Sequence, residues 1–76
     1  MIGGIFVQMN VLAQYLARPE FSELTPWHKQ LLTRYVQRYR GDYPVARPLA
    51  LACMAFNKRY TEPRISQPFI NWLYYY

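Results

Sequence analysis

The sequence predicts a small all-α domain: three main helices, a short C-terminal helix and Pro-rich connectors. Three observations predict it. Apolar residues recur at i, i+3, i+4 and i+7 in several stretches. Capping residues stand immediately before two of those stretches, at Thr25 and Ser66. Prolines and a glycine stand between the stretches or in their first turns, which punctuates the chain into helices and turns.

The first helix is expected over about residues 5–17. Ile5, Met9, Leu12 and Leu16 form one helical stripe, and Arg18-Pro19 ends it because a residue before proline avoids the helical region. Residues 1–8 read as a loose extension ahead of it. The second helix opens with Thr25 as N-cap and Pro26 at the first helical position, a favoured pairing. Leu31, Leu32, Tyr35, Val36 and Tyr39 give it an apolar face, with Gln30, Arg34, Gln37 and Arg38 opposite. Arg38 and Arg40 suit the negative end of the helix dipole, and Gly41 is the stop. This reading absorbs the tripeptide Arg40-Gly41-Asp42 without an adhesion role.

The stretch "DYPVARP" reads as an extended connector, after which Pro48 opens the third helix, "PLALACMAFNKRY". That helix is apolar nearly all round until Asn57, as expected of a central element. "TEPR" breaks it, and Ser66 caps a final helix over about residues 67–74. There Phe69, Trp72, Leu73 and Tyr76 make a stripe that closes the core. Ile70, Tyr74 and Tyr75 fall off that stripe and are expected to face outward, toward a partner.

Seventy-six residues are expected to make one domain, spanning 1–76. A chain this short hides only ~60% of its unfolded surface, and small domains often need staples. One cysteine, Cys53, excludes an internal disulfide, and one histidine with four scattered acids excludes a structural zinc site. Fourteen aromatics, eight Tyr, four Phe and two Trp, supply apolar area instead. The first seventeen residues lack a basic leader and are interrupted by Gln8, Asn10 and Gln14, so neither a secretory signal nor a membrane span is expected. A single thiol suits a reducing cytoplasm.

No catalytic set is expected. Cys53 reads as a buried, inert thiol and His28 as a surface imidazole near a helix start, and no two carboxylates are spaced for acid–base work. No Gly-rich phosphate loop occurs, and no cofactor is called for. The functional signal is charge with aromatics. The net charge is +5, and seven of nine basic residues are arginine. Arg34, Arg38, Arg40, Lys58, Arg59 and Arg64 interleave with Tyr35, Tyr39 and Tyr60. Nucleic-acid binders combine cations with stacking rings. Protein interfaces are likewise rich in Tyr, Trp, Phe, Met and Arg and poor in Lys and Glu. Because Tyr35 and Tyr39 share the apolar face of the second helix, they are assigned to the core. Binding to an acidic protein surface is then the leading expectation. Direct nucleic-acid binding is the alternative, and self-association through the aromatic tail is a third reading.

Two resemblances add to this. Ala55, Phe56, Arg59, Tyr60, Pro63 and Ile65 form the pattern AF-x-x-RY-x-x-P-x-I, which resembles a segment of the theta subunit of bacterial DNA polymerase III. The match covers eleven residues, and only eleven follow Ile65, where theta continues into a long helical half. The theta fold is therefore not carried over. In size and composition the chain is similar to small phage-encoded proteins that bind and redirect a host RNA polymerase. That likeness implies a non-enzymatic regulator acting in the bacterial cytoplasm, with RNA polymerase as the candidate partner and transcription as the process inhibited or redirected.

Overall fold

In the computed structural model, which describes residues 11–39 and 46–75, every regular element is helical. Residues 11–16 belong to helix α1, and a 3-10 turn follows at Pro19–Phe21. Helix α2 spans Pro26–Tyr39, α3 spans Ala46–Arg59 and α4 spans Gln67–Tyr75. No strand occurs among the described residues. The expected extension over residues 1–8, Arg40, the Gly41 stop and Tyr76 all lie outside them.

Local chemistry starts the helices where the sequence places the caps. The Thr25 Oγ1 accepts the His28 backbone N–H at 3.2 Å, and the Thr25 carbonyl accepts the first helical bond from Lys29 at 3.0 Å. At α4 the Ser66 hydroxyl accepts the Phe69 N–H at 3.4 Å. Helix α3 begins at Ala46, two residues ahead of the expected start. Proline fits at its third position because the first-turn N–H groups have no intrahelical acceptor to lose.

Helix α3 is the centre. Both α2 and α4 pack along it, and Ala46, Pro48, Leu49, Ala50, Ala52, Cys53 and Phe56 are all buried. Four of these are alanine or cysteine, whose small side chains let two helix axes approach on different faces of one helix. Trp27 at the start of α2 meets Tyr60 just past the end of α3, so α2 and α3 run antiparallel. Arg47 at the start of α3 lies over Tyr74 at the end of α4, so that pair is antiparallel too. Among the described residues, no buried side-chain nitrogen or oxygen lacks a hydrogen-bond partner.

Two core residues come from the stretch between the first and second helices. Phe21 is fully buried and meets Phe69 edge-on, with ring centroids 5.3 Å apart, and Leu24 is also buried. The Arg18 guanidinium lies 4.9 Å from the Trp72 ring centre and 5.6 Å from that of Phe69, while its Nε donates to Glu20 at 3.0 Å. That hydrogen bond holds the exposed Glu20 carboxyl below the usual carboxylate range. Together these contacts fasten the 3-10 turn to the first turns of α4.

The face that α4 buries differs from the expected one. Phe69, Ile70 and Leu73 are buried and Tyr74 is half-buried, whereas Trp72 is exposed. At 100° per residue, this face is rotated by nearly a quarter-turn from the Phe69–Trp72–Leu73–Tyr76 stripe. The cause is that α4 is apolar on most of its circumference, so spacing alone did not select a side. Trp72 stacks on Phe69, with centroids 5.8 Å apart and planes 18° from parallel, and sits under Arg18. Its ring is thus covered without entering the core, and Ile70 takes the interior place.

Cys53 is fully buried, and burial pushes its thiol up to about 12. The folded protein is therefore expected to leave Ellman's reagent unreacted at pH 8 and to release one equivalent of chromophore once denatured. Rapid reaction of the native chain would show α3 to be exposed.

Candidate interaction surface

The site-bearing helices share one property: α2, α3 and α4 contain basic residues or none, and no Asp or Glu at all. Among the described residues the side-chain carboxylates lie outside these helices, at Glu20, Glu23 and Glu62. Among the described residues one ion pair is formed, Arg18–Glu20. Arg34, Arg38, Lys58, Arg59 and Arg64 are exposed and form no ion pair there.

The structure divides the sequence-predicted residues into three groups. The first lies where α2 begins and α3 ends. Trp27 stands 57% exposed at the second position of α2. Its ring centre is 6.1 Å from Tyr60, and the Arg59 guanidinium lies 5.9 Å from Tyr60. Trp27 also lines a cleft of about 60 Å³ with Gln30, Leu31 and Arg34. Arg34 thus borders the indole directly and Arg59 comes near it by way of Tyr60, although twenty-five positions separate the two arginines in sequence.

The second group lies around the α3–α4 turn. Lys58 and Arg64 line a groove of about 190 Å³ with Met54, Asn57 and Gln67. Arg64 also borders an open depression with Glu23 and Glu62, so part of its field is offset by nearby carboxylates. The third group is at the opposite end of the helices. Tyr75 is 80% exposed and meets half-buried Tyr74 edge-on, with Arg47 against the Tyr74 ring. Arg38 and Tyr39 close α2 toward the same end.

Two assignments need correction. Ile70 does not face outward; it is 1% exposed in the core, because α4 is rotated as described. Tyr39, expected in the core with Tyr35, is 41% exposed at the last position of α2. Tyr35 is half-buried against the core.

Sequence reading also missed the role of His28. It is half-buried, and its ring meets Trp27, Phe56 and Tyr60 with centroids 5.3 to 6.0 Å apart. Its Nδ1 accepts the Thr25 backbone N–H at 3.2 Å, while Thr25 caps the His28 N–H in return. This is the reciprocal geometry of a capping box, with imidazole where Glu or Gln usually stands. The spacing Thr25-x-x-His28 carried that signal. Trp27 gave no sequence signal of its own, because its ring neighbour Tyr60 lies on the far side of a helical hairpin.

The Ala55–Ile65 segment that resembles theta is largely architectural here. Phe56 and Ile65 are core residues, Tyr60 packs on Phe56 with centroids 4.9 Å apart, and the Glu62–Pro63 peptide is cis. Arg59 is the member of the pattern left on the surface. Among the described residues, no helix is long and apolar enough to cross a membrane, and no three His, Cys, Asp or Glu side chains are grouped as metal ligands. Comparison with protein-family models, curated proteins and solved structures finds no match.

Proposed function

We propose that this chain is a non-enzymatic regulator that docks on an acidic surface of a larger bacterial nucleic-acid-processing machine, with RNA polymerase as the candidate partner. One observation carries the reading: α2 and α3 display cations without carboxylates, α4 carries no charged side chain, and large apolar side chains stand exposed among them at Trp27, Tyr39, Met54 and Tyr75. Arginine beside exposed aromatic rings is the composition of interface hot spots. Unmatched positive charge steers encounter with an acidic patch. A regulator of this kind acts by occupying a surface, in the cytoplasm.

The immobilised protein, exposed to nuclease-treated bacterial lysate, is expected to retain RNA polymerase in stoichiometric amount. Arg34→Glu with Arg38→Glu is expected to abolish retention while leaving the thermal melt within a few degrees, because both side chains are exposed. Retention of no polymerase or replication subunit overturns the proposal, as does retention indifferent to the charge reversal. A second reading, direct nucleic-acid contact, is favoured by a separate feature, the geometry around Trp27.

A further inference from the structure

The two tryptophans of this chain have different ring partners. Trp72 already has a nearly parallel one in Phe69, with the Arg18 guanidinium close to both rings. Trp27 has two ring neighbours among the described residues, and neither stacks on it. His28 stands at 70° to the indole and Tyr60 at 87°. Perpendicular neighbours hold the indole in place and leave it without a parallel partner, at 57% exposure. An exposed indole held by perpendicular rings offers a fixed stacking face to a planar ligand.

The surroundings say what kind of molecule that is. Arg34 lines the cleft together with the indole, and Arg59 lies one ring further away, against the Tyr60 that abuts Trp27. Gln30 adds an amide beside the ring, and α2 and α3 offer no carboxylate to repel an anion. An exposed flat ring with guanidinium groups in its neighbourhood suits a base and its adjoining phosphates. From this juxtaposition we infer that the Trp27 cleft binds single-stranded nucleic acid, with an unpaired base stacked on the indole and the flanking phosphates on Arg34 and Arg59. Duplex fits less well, since its bases are already stacked on one another. An acidic peptide satisfies the arginines but brings no obligatory ring for the indole. This activity is independent of docking to a polymerase.

The probe is a fluorescein-labelled oligothymidylate of about twenty nucleotides, titrated with the full-length chain and followed by anisotropy. In a Trp72→Phe background the remaining indole emission reports on Trp27 and is expected to be quenched on binding. Trp27→Ala is expected to weaken binding about ten-fold or more, with Trp27→Phe intermediate, in keeping with the cost of losing one base–aromatic stack. Log affinity is expected to fall with log salt, and Arg59→Gln to flatten that slope by about 0.7, the share of one phosphate on a single strand. A melt of each variant confirms folding, which the exposed positions allow. Wild-type affinity in Trp27→Ala, tighter binding to a matched duplex, or a dissociation constant weaker than about 100 μM at low salt each overturns the inference. None of these outcomes touches the polymerase reading, whose test is run after nuclease treatment.

Discussion

Phe56→Ala is expected to remove most or all of the stability of this fold. The Phe56 side chain is fully buried on α3, and its ring meets His28 at 5.5 Å and Tyr60 at 4.9 Å. It therefore joins the start of α2 to the end of α3, where the candidate surface is built. Phe→Ala in a core costs about 3–5 kcal/mol through lost burial and the cavity left behind. A chain of this length has about 4–11 kcal/mol to lose, at the usual stability per residue. The melting temperature is expected to drop by more than ~15 °C, or the cooperative transition to vanish, in a circular-dichroism melt. Met54→Ala, on the exposed side of the same helix, is the control and is expected to cost within about 0.5 kcal/mol. A Phe56→Ala melt that overlays wild type would falsify the packing described for this end of the molecule.

Asn57 is the second position of large effect. Its side-chain amide donates to the Ile65 carbonyl at 2.7 Å, and its Oδ1 accepts the Ile65 N–H at 2.9 Å. One side chain thus satisfies both backbone groups of a residue that is 1% exposed. These two bonds close the turn between α3 and α4 and set where α4 starts. Asn57→Ala strands both groups, at about 1–3 kcal/mol for each. Asn57→Asp is more informative. It keeps the acceptor for the Ile65 N–H but places a carboxylate against the Ile65 carbonyl, which raises the folded-state pKa of the new acid. Its deficit relative to wild type is therefore full above that raised value. It shrinks as pH falls toward the ordinary Asp value of about 3.9, where the protonated acid can donate again. Paired melts at pH 7 and pH 4 check this; a deficit that grows on acidification contradicts the bidentate contact.

These two residues also mark the boundary of what sequence reading reached. The helical class, the Thr25 and Ser66 caps and the central place of α3 were legible, because each is written in local spacing or in composition along one helix. Phe21 and Leu24 were not, because two apolar residues in a short Pro-flanked stretch carry no period. Ile70 and Trp72 exchanged expected places because α4 is apolar on most sides, and the position of Arg18, in a segment distant in sequence, distinguishes them. Asn57 reads as the end of an apolar run; its link to Ile65 exists only once the turn has folded. Of the candidate surface, the cationic residues were visible individually. Their convergence on Trp27 required the antiparallel pairing of α2 and α3, which brings the two ends of a helical hairpin together.

Confinement of the acids to the turns has a further consequence for how the molecule responds to its solution. Where helices carry matched ion pairs, dissolved electrolyte weakens attractions inside the fold. Here the charges spread over α2 and α3 are of one sign, and bringing them together on folding works against mutual repulsion. Electrolyte screens that repulsion over a distance of about 10 Å at 0.1 M. Moderate ionic strength thus favours the compact chain, whereas the same screening would weaken the contacts proposed above with an acidic surface or a nucleic acid. The fold and the proposed contacts are therefore expected to respond to salt in opposite directions.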